Sequence, residues 1–261
     1  MNKKRFRLGK AFSSAFNLIR EFPLQMLLPI AIYLVIMLPL QYFNLKYGVL
    51  NLKNLADVSL NSILLLYVGM ITRNVLTLGL TFLQFMILVG HLRIVSKWIE
   101  SKTKPIWKDY LTVDFELFGK FLAVALIFGI LIFFGFLFFI IPGLIMLVLY
   151  NLAPIILIDK HGGIRRSFGR SDALVSGVMW EFLGFILLSS IIIISPIAYF
   201  LIKYFVFHIS QFMYPAIFIG IFTFPASVFI QLVIIYLYKD LSVQQDEIDA
   251  IKKEKIQVQI N

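Results

Sequence analysis

Apolar residues in this chain fall in long unbroken runs, not in strand-like alternation. Residues 121–158 hold 38 positions without a charged side chain, with Pro142-Gly143 inside the run. At about 1.5 Å per helical residue this run reaches roughly 57 Å, nearly twice the roughly 30 Å hydrocarbon thickness of a bilayer. It therefore reads as two antiparallel helices, 119–140 and 144–158, reversing at Ile141-Pro142-Gly143 at or just below one interface. The same criterion predicts spans at 22–42 (with Pro29 and Pro39), 74–94, 182–202 (with Pro196) and 212–238 (with Pro215 and Pro225). Continuous runs of this length satisfy their backbone in lipid as helices, whereas barrel strands alternate. The predicted fold is all-α, a polytopic membrane helix bundle of about six transmembrane helices forming one domain over 1–261.

Three segments flank the spans. In 1–20, Leu8, Ala11, Phe12, Ala15, Phe16, Leu18 and Ile19 recur at three-and-four spacing beside Lys3, Lys4, Arg5, Arg7, Lys10 and Arg20. This is a basic amphipathic helix, lying on the membrane surface or packed against the spans. Residues 241–261 form a polar, charged tail, in part helical or disordered. Between the first two spans, Ser62–Ile71 is too short to cross. It is assigned to a surface-lying or dipping helix over 55–72, with Arg73 at the outer interface; the other option places Arg73 within a span.

Charge sets the orientation. Of the 24 Lys and Arg residues, twenty fall in the N-terminal segment, 93–120, 160–170 and the residues from Lys239 onward. Lys46, Lys53, Arg73 and Lys203 are the remainder. Lys and Arg collect on the cytoplasmic side of membrane proteins, so both termini are expected in the cytoplasm, with an even number of crossings. Trp98, Trp107 and Trp180 fall on the same inner boundary. The net charge of +10 is then accounted for by topology and anionic lipid head groups, and no nucleic-acid partner is expected. Cysteine is absent, which removes disulfide and thiolate chemistry. No cleavable signal is apparent.

Few motifs carry chemistry. Pro154 frees the carbonyl of Tyr150, and Asn151 places a polar group within the fourth span. The pair reads as a kink with interhelical hydrogen bonding or as a polar spot on a substrate path. Ile164 to Val178 reads as a short helix in the cytosolic interface, with Arg165, Arg166 and Arg170 on a cationic flank that suits phosphate head groups or simply the topology. His91, His161 and His208 are scattered, and no metal-binding, Walker or nucleophile-elbow pattern occurs. No catalytic residue, cofactor or metal is assigned.

The run Ile141-Pro142-Gly143-Leu144-Ile145-Met146, then Leu152-Ala153-Pro154-Ile155-Ile156-Leu157 and Asp159-Lys160-x-Gly162, resembles the YciC-like family of bacterial inner-membrane proteins. Arg170-Ser171-x-x-Leu174-Val175-x-Gly177 matches a later basic-Ser stretch of that family. The likeness is close over 140–177 and architectural elsewhere. The family is related to the membrane domain of some glycerophosphodiester phosphodiesterases, but their catalytic domain has no counterpart here. The resemblance implies a six-span inner-membrane protein without assigned activity and supplies no catalytic residues. The expected function is non-enzymatic, in envelope or lipid homeostasis through binding of lipid or a membrane partner. The competing expectation is a small-molecule channel or transporter with a path near Asn151.

Overall fold

The computed structural model describes residues 4–23, 86–101, 115–160, 163–207 and 213–260, with Val75 and Gly79 as isolated helical positions. Regular structure among the described residues is helical throughout. Among the described residues, four stretches are long and apolar enough to cross a membrane: Phe115–Phe138, Ile140–Asp159, Ile164–Pro196 and Pro225–Glu254. The expected span at 22–42, most of that at 74–94, the segment 55–72 and Arg73 lie outside the described residues.

Helix α1 (Leu8–Glu21) buries Ala11, Ala15 and Leu18 on one stripe. Phe12 meets Phe185 and Phe229 edge-on, at 6.3 and 5.5 Å between ring centroids. The polar flank, with Lys10, Ser13, Asn17 and Arg20, stays exposed. Of the two readings of this amphipathic segment, these contacts are those of a helix packed against the bundle. Just beyond it, Phe22 stacks edge-on against Trp98 of α2 (residues 86–101) at 5.3 Å. Trp98 is thus a core residue at 6% exposure, whereas Trp180, at 73%, stands free as an interfacial anchor would.

Helix α3 (Phe115–Phe138) begins four residues before the predicted start. The chain reverses at Phe139 (φ −159°, ψ 147°), and α4 (Ile140–Tyr150) follows at once. The reversal thus lies before Pro142-Gly143, three residues ahead of the proline. Pro142 occupies the first turn of α4, where a missing backbone N–H breaks no bond within the helix. Gly143 serves the packing of the hairpin: a Cβ there would lie 2.6 Å from Phe136 Cγ, and one on Gly135 would lie 2.7 Å from Gly143 Cα.

The fourth predicted span is two helices. Asn151 and Leu152 form a turn between α4 and α5 (Ala153–Lys160), where Pro154 interrupts the hydrogen-bond ladder. Here the buried Ser171 hydroxyl, from α6 (Ile164–Val175), donates to the Leu149 carbonyl at 2.6 Å. A 3₁₀ turn at Ser176–Val178 leads into α7 (Met179–Phe207), which is continuous through Pro196. Pro196 cannot donate to the Ile192 carbonyl four residues earlier; the Ser195 hydroxyl donates to it instead, at 3.0 Å.

Helix α8 runs from Met213 to Ile260, 48 residues or about 72 Å. The predicted sixth span and most of the predicted tail are therefore one helix, extending well beyond a bilayer's thickness. The core closes around α5: Leu152, Leu157, Ile158, Leu174, Phe182, Leu232, Ile235 and Leu237 are all essentially inaccessible.

Candidate functional site

Among the described residues, the most concentrated polar chemistry lies where α2, α5 and α8 converge. In α5 the buried run Ile155-Ile156-Leu157-Ile158 is held by the core, and this fixes the helix rotation so that the next side chain, Asp159, is only 3% exposed. Tyr238 of α8, itself fully buried, donates its hydroxyl to Asp159 Oδ2 at 2.6 Å. Ser96 Oγ of α2 and Lys239 Nζ of α8 both donate to Oδ1. Lys239 also reaches Glu100 Oε1 at 2.7 Å, one turn beyond Ser96. Its ammonium lies 5.5 Å from the Tyr238 ring centroid.

A buried carboxylate is tolerated only when its oxygens are bonded and its charge is matched. Asp159 meets both conditions with three donors from two other helices. One ammonium is shared between two carboxylates, and the more buried of these, Asp159, also takes the hydroxyl donors. The arrangement fastens three helices to each other.

A second set of contacts ties the N-terminus to the same end of the bundle. The Arg5 backbone N–H donates to Gln244 Oε1 at 2.8 Å, and Gln244 Nε2 donates back to the Arg5 carbonyl at 3.1 Å. Arg7 and Lys10 flank Asp240 at 3.5 and 3.6 Å. Phe6 packs edge-on against Phe182, 6.0 Å away. Lys4 Nζ donates to the Ala173 and Leu174 carbonyls in the last turn of α6, where helix carbonyls lack intrahelical partners. Burial pushes the Lys4 ammonium below its usual range, opposed by the charge of Asp249.

The predicted arginines divide. Arg170 is half-buried and committed to α8: Nη2 donates to Ser242 Oγ at 3.1 Å and pairs with Asp246 Oδ1 at 2.7 Å. Arg165 and Arg166, on the first turn of α6, are exposed. Asn151 is half-buried at the α4–α5 turn, and the bond across this kink comes from Ser171. Pro142, Gly143, Asn151 and Pro154 all lie along the α3–α5 hairpin, away from the Asp159 network. His91 is buried in α2, and His161 and His208 lie outside the described residues. Among the described residues no group of three His, Asp or Glu side chains is placed to hold a metal ion.

Ser96, Glu100, Tyr238 and Lys239 carry no assigned role in the sequence reading, and Asp159 enters it only within the motif Asp159-Lys160-x-Gly162, without a role of its own. The available signal was positional: Asp159 ends one apolar run directly, and Tyr238-Lys239-Asp240 ends another. Comparison with models of protein families, with characterised proteins and with solved structures finds no match to this chain.

Proposed function

We propose that the chain is a non-enzymatic inner-membrane protein of six membrane-inserted helices with both termini in the cytoplasm, whose charged end binds anionic lipid head groups. The even number is supported by the contacts joining residues 4–10, 96–100, 159–174 and 239–246 at one end of the bundle. A connection that enters the membrane from that end returns to it, so the helices come in pairs. Two pairs are α3 with α4–α5, and α7 with α8. The third is the predicted pair at 22–42 and 74–94. Lys and Arg favour the cytoplasmic side, which orients the shared end. The resemblance over 140–177 suggests the bacterial inner membrane.

One observation carries the lipid reading. Arg7, Lys10, Arg170 and Lys239 are paired within the molecule, whereas Arg165 and Arg166 are exposed side by side on α6. Trp180, exposed at the start of α7, supplies the aromatic anchor expected at a head-group boundary. The channel alternative has less support, because the α4–α5 kink is lined by the packed residues Val148, Leu152, Ala153 and Ile156.

Reconstitution into vesicles of mixed phosphatidylglycerol and phosphatidylethanolamine, followed by release and native mass spectrometry, tests the reading. Enrichment of the anionic lipid, lost in R165E/R166E, supports it. Equal retention of both lipids by the unaltered chain refutes it.

A further inference from the structure

We propose that the apex of the α3–α4 hairpin ends inside the far half of the bilayer and is covered there by acyl chains, without emerging into water. The inference rests on the membrane reading of the chain but not on head-group binding at Arg165 and Arg166.

Depth is the first observation. Lys120 and Asp159 are the last charged residues on the two limbs, and Phe139 is the point of reversal. From Lys120 to the apex the chain advances 18 helical residues, about 27 Å, and from the apex back to Asp159 it advances 19, about 28 Å. The hydrocarbon layer alone is roughly 30 Å thick, and any tilt shortens the reach. Helix α7 differs: 21 uncharged residues, from Phe182 to Ile202, separate Glu181 from the next charge in its sequence, Lys203.

Chemistry at the apex is the second. Phe138, Phe139, Ile140 and Ile141 are all strongly exposed, with Phe133, Phe134, Phe136 and Leu137 beside them. At 100° per residue the exposed positions 133, 134 and 136 to 138 cover more than half of the circumference of α3. A protein partner docks on one side; acyl chains surround. Residues 121–149 contain no polar or charged side chain, so none of them draws the apex into a head-group layer.

Backbone economy is the third. Unbonded peptide groups are costly in lipid, so a buried reversal must leave few of them. This one consists of a single non-helical residue. The Phe139 N–H donates to the Gly135 carbonyl at 3.1 Å, the Phe139 carbonyl accepts from the Gly143 N–H at 3.4 Å, and Pro142 has no N–H to satisfy. The close approach of Gly135 and Gly143 seals the two backbones against each other just beneath the turn.

The natural absence of cysteine makes the test direct. Single variants F139C and I141C of the full chain are labelled with a nitroxide in detergent and reconstituted into vesicles, and collision with oxygen and with a water-soluble nickel chelate is measured. A parallel sample is treated with a membrane-impermeant maleimide on either face. The proposal predicts frequent oxygen collision, loss of nickel collision, and maleimide labelling only after solubilisation. Labelling from the far face of intact vesicles overturns it, as an apex in water. Low collision with both reagents also overturns it, as an apex covered by protein. Either result leaves the anionic-lipid preference of the charged end untouched, so the two proposals fail separately. Two positions are used so that misfolding of one variant does not decide the outcome.

Discussion

The Tyr238 hydroxyl donates to Asp159 Oδ2 across 2.6 Å, tying the last turn of α5 to α8 over 79 positions of sequence. Lys239, the next residue, joins the same carboxylate and bridges it to Glu100 of α2. The short α5 is packed in the core along its length, and polar contacts hold both of its ends. The network fixes its far end, and Ser171 holds the near one.

Removing the carboxylate leaves Lys239 with Glu100 alone and the buried Tyr238 hydroxyl without its acceptor. Loss of one member of a buried ion pair costs about 3–5 kcal/mol, and the surviving Glu100 contact places Asp159→Ala near the lower end. Unfolding in detergent should show this loss, and Asp159→Leu combined with Lys239→Met should lose less than Asp159→Ala alone. An Asp159→Ala variant as stable as the parent would deny the network its fastening role.

Gly135 and Gly129 lie on the same helix and should respond oppositely to alanine. A Cβ at Gly135 would lie 2.7 Å from Gly143 Cα, a backbone atom that moves only if the hairpin opens, whereas Gly129 has nothing within 4 Å. Overpacking of this kind costs about 1–3 kcal/mol. Gly129→Ala should be neutral or slightly stabilising, as a helix-interior glycine is poorer than alanine by about 1 kcal/mol. Comparable melting temperatures for the two variants would contradict the close approach.

Ser171→Ala removes the donor that satisfies the Leu149 carbonyl at the α4–α5 break. An unsatisfied buried acceptor costs about 1–3 kcal/mol, and hydrogen exchange should quicken in α5 before it does in α3. Unchanged protection in α5 would show that water or another group replaces the hydroxyl.

Charge reversal separates structural arginine from exposed arginine. Arg170→Glu places a second carboxylate beside that of Asp246 and should lower the melting temperature, with recovery on adding Asp246→Arg. R165E/R166E should leave the melting temperature unchanged, because neither side chain is buried. Equal destabilisation by both sets would mean that the whole cationic flank of α6 is structural.

Much of the helical framework was legible because lipid imposes one simple rule, long apolar runs, and 121–158 obeys it plainly. The reversal was misplaced by three residues because proline and glycine are the usual turn signals, whereas here one extended phenylalanine makes the turn. The predicted tail was read from its polarity. Its helix is continued by contacts that polarity alone does not reveal, such as Gln244 donating to Asp240 and Gln245 donating to Asp249, each at 2.8 Å. Arg170 looked like its neighbours Arg165 and Arg166, and only the partner helix 76 residues away distinguishes it. The role of Asp159 is the largest omission. An acid next to a lysine at the end of a span resembles any interfacial charge, and its burial depends on helices 63 and 79 positions distant.

The central claim is that the basic segments gather on one face of the membrane. The most direct measurement is side-specific labelling of the single variants S13C, on the exposed flank of α1, and E247C, on the exposed part of α8. In oriented vesicles both should react with an impermeant maleimide from the cytoplasmic face and neither from the other. Reaction of the two cysteines from opposite faces would contradict the account.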